Sequence, residues 1–485
     1  MDAGQPARPR GGVGSRRRLR TGAIVVGAGT ALFAWSCAAA EHHYHVRLAP
    51  TLETLSVRAS VPGARALRTR DPRGVDALRE RRRCDGSPIR IVRGALVTRT
   101  APFECVEYTV DLSSVDGRSG WDRIDLAEDV AWTRAARWLW RDPGEDIELS
   151  VTFELPNGVS VSVPWERAGA AHRYRVPASP ESDAAISVFG RFLRPSIPDT
   201  ELSYVLLPPA SSEVDPAPIS AWLAGAVAQI ETAYGRFPTP EVQIVVVPVT
   251  PGVPNASPVP WAHVVRDGGE AVQFFVDIAR PLSDLSADWT ATHEFAHLML
   301  PYLEPVDKWI SEGFASYYQN VMMARGGEYT EAHAWAELRR CFERARGEGA
   351  GRTPSEAVRA GVGEARMMIY WSGAALALTA DVELRRESGG AMSLDRVLGA
   401  FAAEALPSPE RWRAAEFFAR LDALAGTRTF TRLLRRFEST PGIEDLGALW
   451  AELGVRVGAD PGQVELVDAP GAAIRRRIMG ENADR

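Results

Sequence analysis

The segment His293-Glu294-Phe295-Ala296-His297 sets two imidazoles four positions apart with a carboxylate between them, and a second carboxylate, Glu312, follows in "DKWISEGFASYY" (307–318). At 3.6 residues per turn, helix positions i and i+4 differ by only about 40° around the axis, so both imidazoles leave one face about one turn apart. One divalent ion can touch both. Neutral imidazole is a good zinc ligand, and a hydrolytic zinc site wants three protein ligands with a fourth position open to water. The H-E-x-x-H spacing has that form. Glu294 lies at the edge of the same face, where its carboxylate can reach the water without being tied up as a ligand, which makes it the candidate general base. Glu312 is the candidate third ligand. It sits near the start of a second helix for which Asp307 is the expected N-cap and Gly326-Gly327 the expected end. Ser316, one turn after Glu312, is expected to touch the ligands from behind.

The competing reading is a structural helix with polar residues on a solvated face. The flanking Phe295, Ala296, Leu298, Met299 and Leu300 are apolar and predict a largely buried helix. Such a helix does not carry two imidazoles and a carboxylate without partners. Histidine is also scarce, with eight in the whole chain, so the pairing is not a by-product of composition.

Those residues need elements to hold them. With 485 residues and 45% hydrophobic content, the chain can bury a large core, divided over two to three domains. A formal net charge of −6 provides no basic field for phosphates, which excludes nucleic acid as a partner and favours small or neutral substrates. Residues 1–41 read as an export signal: "SRRRLR" (15–20) is a basic n-region, and the apolar stretch from Ala23 to Trp35 is too short to span a bilayer comfortably. Cleavage after Ala40 and lipid attachment at Cys37 are both open, the second giving membrane attachment; a twin-arginine type of signal is a weaker alternative. The expected location is a bacterial cell envelope, periplasmic or lipid-anchored. In an oxidising compartment Cys84 and Cys105 pair or remain two buried thiols, while Cys341 falls in a predicted helix.

Residues 42–210 carry β signals. "EHHYHV" (41–46) reads as a solvated linker into the first strand rather than a metal site. In "IELSVTFEL" (147–155) the apolar residues alternate strictly, "PNG" follows, and Val159, Val161, Val163 and Trp165 alternate again, which predicts a hairpin turning at Asn157-Gly158. Further short alternating runs between Pro and Gly predict an antiparallel sandwich. "SSEVDPAP" (211–218) reads as a linker, and 211–376 as the domain holding the metal. There Ile219, Trp222, Leu223, Ala226, Val227, Ile230 and Tyr234 recur at helical spacing, and "EVQIVVVPV" (241–249) reads as a buried strand. Helices dominate from about Trp289 and continue through 377–485, where Phe430, Leu433, Leu434 and Phe437 form an amphipathic pattern.

These residues resemble the gluzincin zinc metallopeptidases of the aminopeptidase N and glycyl aminopeptidase type, over roughly residues 220 to 475. "HEFAH" and "WISEGFASYY" are similar to that family's zinc motif and its W-x-x-E-G-F-x-S-Y segment. "IYWSGAALALTADVELRRESGGAMSLDRVL" (369–398) is similar to the block whose tyrosine hydrogen-bonds the oxyanion of the tetrahedral intermediate, and the matching position is Tyr370. The resemblance implies an α+β multidomain fold: an N-terminal antiparallel β-sandwich, a thermolysin-like catalytic domain and a C-terminal α-helical domain. It implies Zn2+ on His293, His297 and Glu312, with Glu294 and Tyr370 catalytic and a peptide as substrate.

Three departures qualify it. Fourteen residues separate His297 from Glu312, fewer than the eighteen typical of the aminopeptidase N type. The family grips a substrate's free amine with a glutamate on the strand before the zinc helix. Here that region reads "VPWAHVVRDGGEAVQFFVDI" (259–278), where Asp267 and Glu270 are the available carboxylates and neither matches. No PDZ-like module is legible near the C-terminus. The expected function is zinc-dependent peptide hydrolysis by an exported metallopeptidase, aminopeptidase-like. An endopeptidase or narrow processing protease of the same fold is the alternative, and a catalytically inactive envelope binding protein is the alternative of another class.

Overall fold

Period-two alternation sends successive side chains to opposite faces of a strand, and Thr54–Ala64 shows the result, with Leu55, Val57, Ala59 and Val61 buried while Ser56, Arg58 and Ser60 face outward. The computed structural model describes residues 41–113, 126–143, 149–176, 185–209, 213–250, 257–266, 269–348, 351–408, 410–458 and 462–480. The expected export segment, with Cys37 and Ala40, lies outside the described residues, as do Ile147 and Asp267. Among the described residues no helix is long and apolar enough to cross a membrane.

Seven strands form the first sheet in the order Glu166–Arg167, Arg173–Val176, Leu149–Glu154, His42–Leu48, Thr54–Ala64, Phe103–Asp111, Leu78–Arg83. A three-stranded sheet of Ser160–Ser162, Ile186–Gly190 and Val130–Arg134 contributes Val161 and Phe189 to the same core, alongside Phe153, Trp138 and Trp165. Cys84 and Cys105 form a disulfide beside the paired strands Leu78–Arg83 and Phe103–Asp111, and Cys341 is buried and free.

Three expectations are corrected here. The "EHHYHV" segment is not a linker: His42–Leu48 is an inner strand, with Tyr44 and Val46 buried in the core. It pairs in parallel with Leu149–Glu154, so the sheet is not wholly antiparallel. The hairpin at Asn157-Gly158 is absent, although the turn exists, with Gly158 at φ 75° and Val159 N–H bonded to Pro156 O at 3.1 Å. The strands flanking this turn belong to different sheets, Leu149–Glu154 to the first and Ser160–Ser162 to the second. Alternation specifies which face is buried; it does not specify the neighbour, and two runs facing one core from opposite sides alternate alike.

A four-stranded sheet follows in the order Tyr204–Leu206, Gln243–Pro248, Ala271–Val276, Trp261–Val265. The first three strands are parallel and Trp261–Val265 runs antiparallel along the edge. Tyr204–Leu206 precedes the expected linker yet pairs with Gln243–Pro248. Both faces of this sheet are covered, which is why its strands read as continuous apolar runs. Ile244, Val246 and Phe274 point into the helical core, while Val245, Val247 and Phe275 pack toward Ile186 and Val188 of the three-stranded sheet.

Two small sheets and a set of helices supply the rest, the helices including Ala217–Tyr234, Thr290–His297, Lys308–Arg325, Glu331–Glu348, Val362–Glu387, Leu394–Ala405, Ala414–Ala425 and Thr429–Ser439. The expected boundary between 376 and 377 falls inside Val362–Glu387, whose buried residues join one core with those of the motif-bearing helices. Lys308–Arg325 and Val362–Glu387 touch backbone to backbone. A Cβ on Gly313 would stand 2.2 Å from Gly373 Cα, and one on Gly373 would stand 2.2 Å from Trp309 O. Below this crossing lies a buried polar network: Asp381 bonds Arg385 and the Tyr317 hydroxyl, each at 2.9 Å, and Asp395 bonds Arg325 at 2.9 Å and the Tyr318 hydroxyl at 3.0 Å.

Candidate metal centre

Thr290–His297 is helical from an entry turn in which Thr290 N–H donates to Asp288 Oδ1 at 2.9 Å, and every one of its residues is buried. His293 and His297 leave one face, their ring centroids 4.9 Å apart. The second helix, Lys308–Arg325, begins after a short 3-10 turn and presents Glu312 to that face. Glu312 Oε2 lies 3.4 Å from His293 Nε2 and 3.5 Å from His297 Nε2. All three ligand atoms fall within 4.8 Å of one another. Two donors held about 2.05 Å from a tetrahedral ion are separated by roughly 3.3 Å, so this spacing leaves room for an ion between them.

The far side of each imidazole is already engaged. His293 Nδ1 meets Gln319 Oε1 at 2.8 Å, and because an amide oxygen only accepts, Nδ1 carries a proton, which leaves Nε2 as the nitrogen that would face an ion. His297 Nδ1 meets Ser311 Oγ at 3.0 Å. Partners of this kind fix the tautomer and orient a ligating ring. Gln319 and Ser311, not Ser316, fill this role; Ser316 is buried but bonds neither imidazole among the described contacts. Residues 312, 316 and 319 share one helix face, and the longer side chain of Gln319 is the one that spans the gap. Lys308 Nζ lies 3.2 Å from Glu312 Oε1, the oxygen turned away from the imidazoles. Asp307 occupies the N-cap position without capping the helix; its carboxylate accepts from Ala414 N–H at 2.8 Å instead. The helix does end at Gly326, and Gly327 adopts φ 88°.

Charge is shared unevenly inside the cluster. Burial alone would raise the Glu312 carboxyl, but the two imidazoles outweigh it and hold the group well below the usual carboxylate range. Burial opposes a proton on His293, yet Glu312 and Glu294 overcome it and its pKa is raised. His297 goes the other way, to about 4, because burial dominates and both His293 and Arg266 repel a proton there. Glu294 is pushed up to about 7 by burial, with Glu312 adding to the rise and His293 opposing it. A carboxyl near neutrality is poised to accept and return a proton.

Tyr370 lies over the site, its ring stacked on His293 at 6.1 Å and 19°. Burial, then the Glu312 charge, raise its pKa, so the phenol remains a donor. The structure therefore brings His293, Glu294, His297, Glu312 and Tyr370 together. Glu270 is not among them: it is buried and paired with Arg266 at 3.1 Å. Arg266 in turn donates to Leu300 O at 2.9 Å and to His297 O, satisfying carbonyls at and just past the end of the motif helix.

No family model matches the chain, and no curated protein matches it. Solved structures do. An aminopeptidase N family protein from Idiomarina loihiensis superposes with a TM-score of 0.63 at 14% identity, over 87% of this chain and 80% of that one. A mutant M1 zinc metallopeptidase from Deinococcus radiodurans, bound to a Tyr-Ser-Ala substrate, aligns at 13% identity and a TM-score of 0.48, over 84% of this chain and 95% of that one. The first of these establishes a shared fold: a β-rich N-terminal part followed by a helical C-terminal part.

Proposed function

We propose that this protein hydrolyses peptide bonds with a zinc ion held by His293, His297 and Glu312. The convergence of those three ligand atoms within 4.8 Å, each imidazole oriented from behind, carries the reading. Zinc, when bound there, would polarise the scissile carbonyl and acidify the attacking water. Glu294 takes the proton from that water and returns one to the leaving amine, a role suited to a carboxyl near neutrality. The Tyr370 phenol, kept protonated by burial, donates to the developing oxyanion. The shared fold supports the reading. Glu294 also argues against an inactive binding protein, since holding a metal does not require a base there.

Aminopeptidase action is what the resemblance implies. A second reading, cleavage that does not depend on a free amino terminus, is favoured by Glu270, which is tied to Arg266 and leaves no matching carboxylate for an amine among the described residues. The Cys84–Cys105 disulfide and the basic-then-apolar N-terminus support a place in an oxidising cell envelope.

The test uses zinc-loaded protein on matched peptides with free and N-acetylated amino termini. Cleavage by the parent, and a loss of roughly 10²–10⁴-fold in kcat in Glu294→Gln, support the reading. An inactive parent with full zinc leaves only the binding protein. Equal rates on the two peptide forms remove the aminopeptidase label.

A further inference from the structure

We infer, on the premise that the proposed hydrolysis is correct, that the site selects peptides bearing a carboxylate beside the scissile bond, recognised by Arg366. Val362–Glu387 is kinked at Ala365, and the next residue, Arg366, is exposed with its guanidinium Cζ 5.7 Å from the Tyr370 ring centroid. Tyr370 in turn stacks on the ligand His293. The guanidinium is thus two ring contacts from the metal position, and no carboxylate pairs with it among the described residues. An extended peptide advances roughly 3.5 Å per residue, so a carboxylate on a residue next to the cleaved bond, or one beyond it, comes within reach.

The charges around the site agree. The carboxylates that weigh on Tyr370 are Glu312 and Glu294, a ligand and the base. Lys308, half exposed and 3.2 Å from Glu312 Oε1, adds a second cation beside the cluster. Among the described residues Glu270 is taken by Arg266 and Glu312 by the imidazoles and Lys308, whereas an arriving carboxylate finds in Arg366 a planar donor fork suited to bidentate contact, with no carboxylate partner among the described residues. Two sources present the same group: an acidic side chain or the peptide's own C-terminal carboxylate.

The experiment compares kcat/KM for peptides, each with a free and with an N-acetylated amino terminus, that differ only in Glu against Gln next to the cleaved bond, and for free-acid against amidated C-termini. It is run on the zinc-loaded parent, Arg366→Ala and Arg366→Lys. A charge-assisted contact predicts a preference of roughly ten- to a hundredfold for one carboxylate form, shrinking with added salt. The pair that shows the preference identifies its source. Arg366→Ala brings that ratio close to one and Arg366→Lys keeps part of it, whereas a residue that merely steadies Tyr370 lowers all rates and leaves the ratio intact. A parent that cleaves neutral and acidic forms equally, or a ratio that survives Arg366→Ala, overturns the inference while leaving hydrolysis standing. Failure to cleave any peptide overturns the hydrolase reading beneath it.

Discussion

Replacing Gly313 by alanine tests how the two halves of the proposed catalytic apparatus are held together. Gly313 follows the proposed ligand Glu312 and Gly373 lies three residues beyond Tyr370, so their contact sets the distance between the proposed ligand helix and the proposed oxyanion donor. The added Cβ would stand 2.2 Å from Gly373 Cα, where ordinary contact begins near 3.4 Å, so the helices must separate by about 1.2 Å. Both neighbours are backbone, and no rotamer change relieves the clash. Overpacking of this kind costs roughly 1–3 kcal/mol, and a misplacement near 1 Å costs on the order of 10² in rate. Gly225→Ala is the control, because its Cβ meets nothing within 4 Å and it sits inside the helix Ala217–Tyr234. It is expected to be neutral or to stabilise by up to about 1 kcal/mol. The assay is thermal unfolding and kcat/KM on zinc-loaded protein. Gly313→Ala melting and turning over like the parent would refute the close-contact argument.

Gln319→Leu removes the acceptor behind His293 in a buried position; zinc affinity is expected to fall roughly 10–100-fold with little change in folding, read by competition with a chelator. Asp381→Asn leaves the buried Arg385 with Asp395 as its one charged partner among the described residues, and urea unfolding should register a loss of roughly 3 kcal/mol. The metal's affinity should depend on pH through one imidazole. A proton on a ligand competes with the ion, so affinity is full above the ligand's pKa and falls below it. His293 lies above its ordinary 6.5, His297 near 4 and Glu312 well below the carboxylate range. In Glu294→Gln, which removes the remaining titrating group and also one of the two carboxylates that raise His293, log Kd should steepen as pH falls toward a limiting slope of one per pH unit. A slope of two would mean that both imidazoles hold protons.

The convergence of the two imidazoles was legible because H-E-x-x-H converts directly into geometry: a helix period places His293 and His297 together whatever surrounds them. Glu312 and Tyr370 were reached through the segments around them, not through any periodicity of their own. Gln319 was missed although the same spacing argument that selected Ser316 also covers position 319, two turns beyond Glu312; side-chain length decided between them. Ser311 carries no such signal, since it precedes Glu312 directly and serves an imidazole of another helix. Long-range pairing was the least accessible part. The parallel contact of His42–Leu48 with Leu149–Glu154 joins strands a hundred residues apart, and no local pattern encodes it. Asp307 shows the same limit, since a favourable capping residue was drawn off by Ala414 N–H from a distant helix. The glycines of "SEGF" and "YWSG" were visible as motif letters, but their reason, one backbone passing against another, needed both helices in place.

The central claim is that a zinc ion sits among His293 Nε2, His297 Nε2 and Glu312 Oε2. Anomalous diffraction recorded on both sides of the zinc absorption edge tests it without recourse to activity. One strong peak is expected, present only above the edge, within about 2.3 Å of all three atoms. A zinc-saturated crystal with no peak there, or with Glu312 turned toward Lys308 and out of coordinating reach, would contradict it.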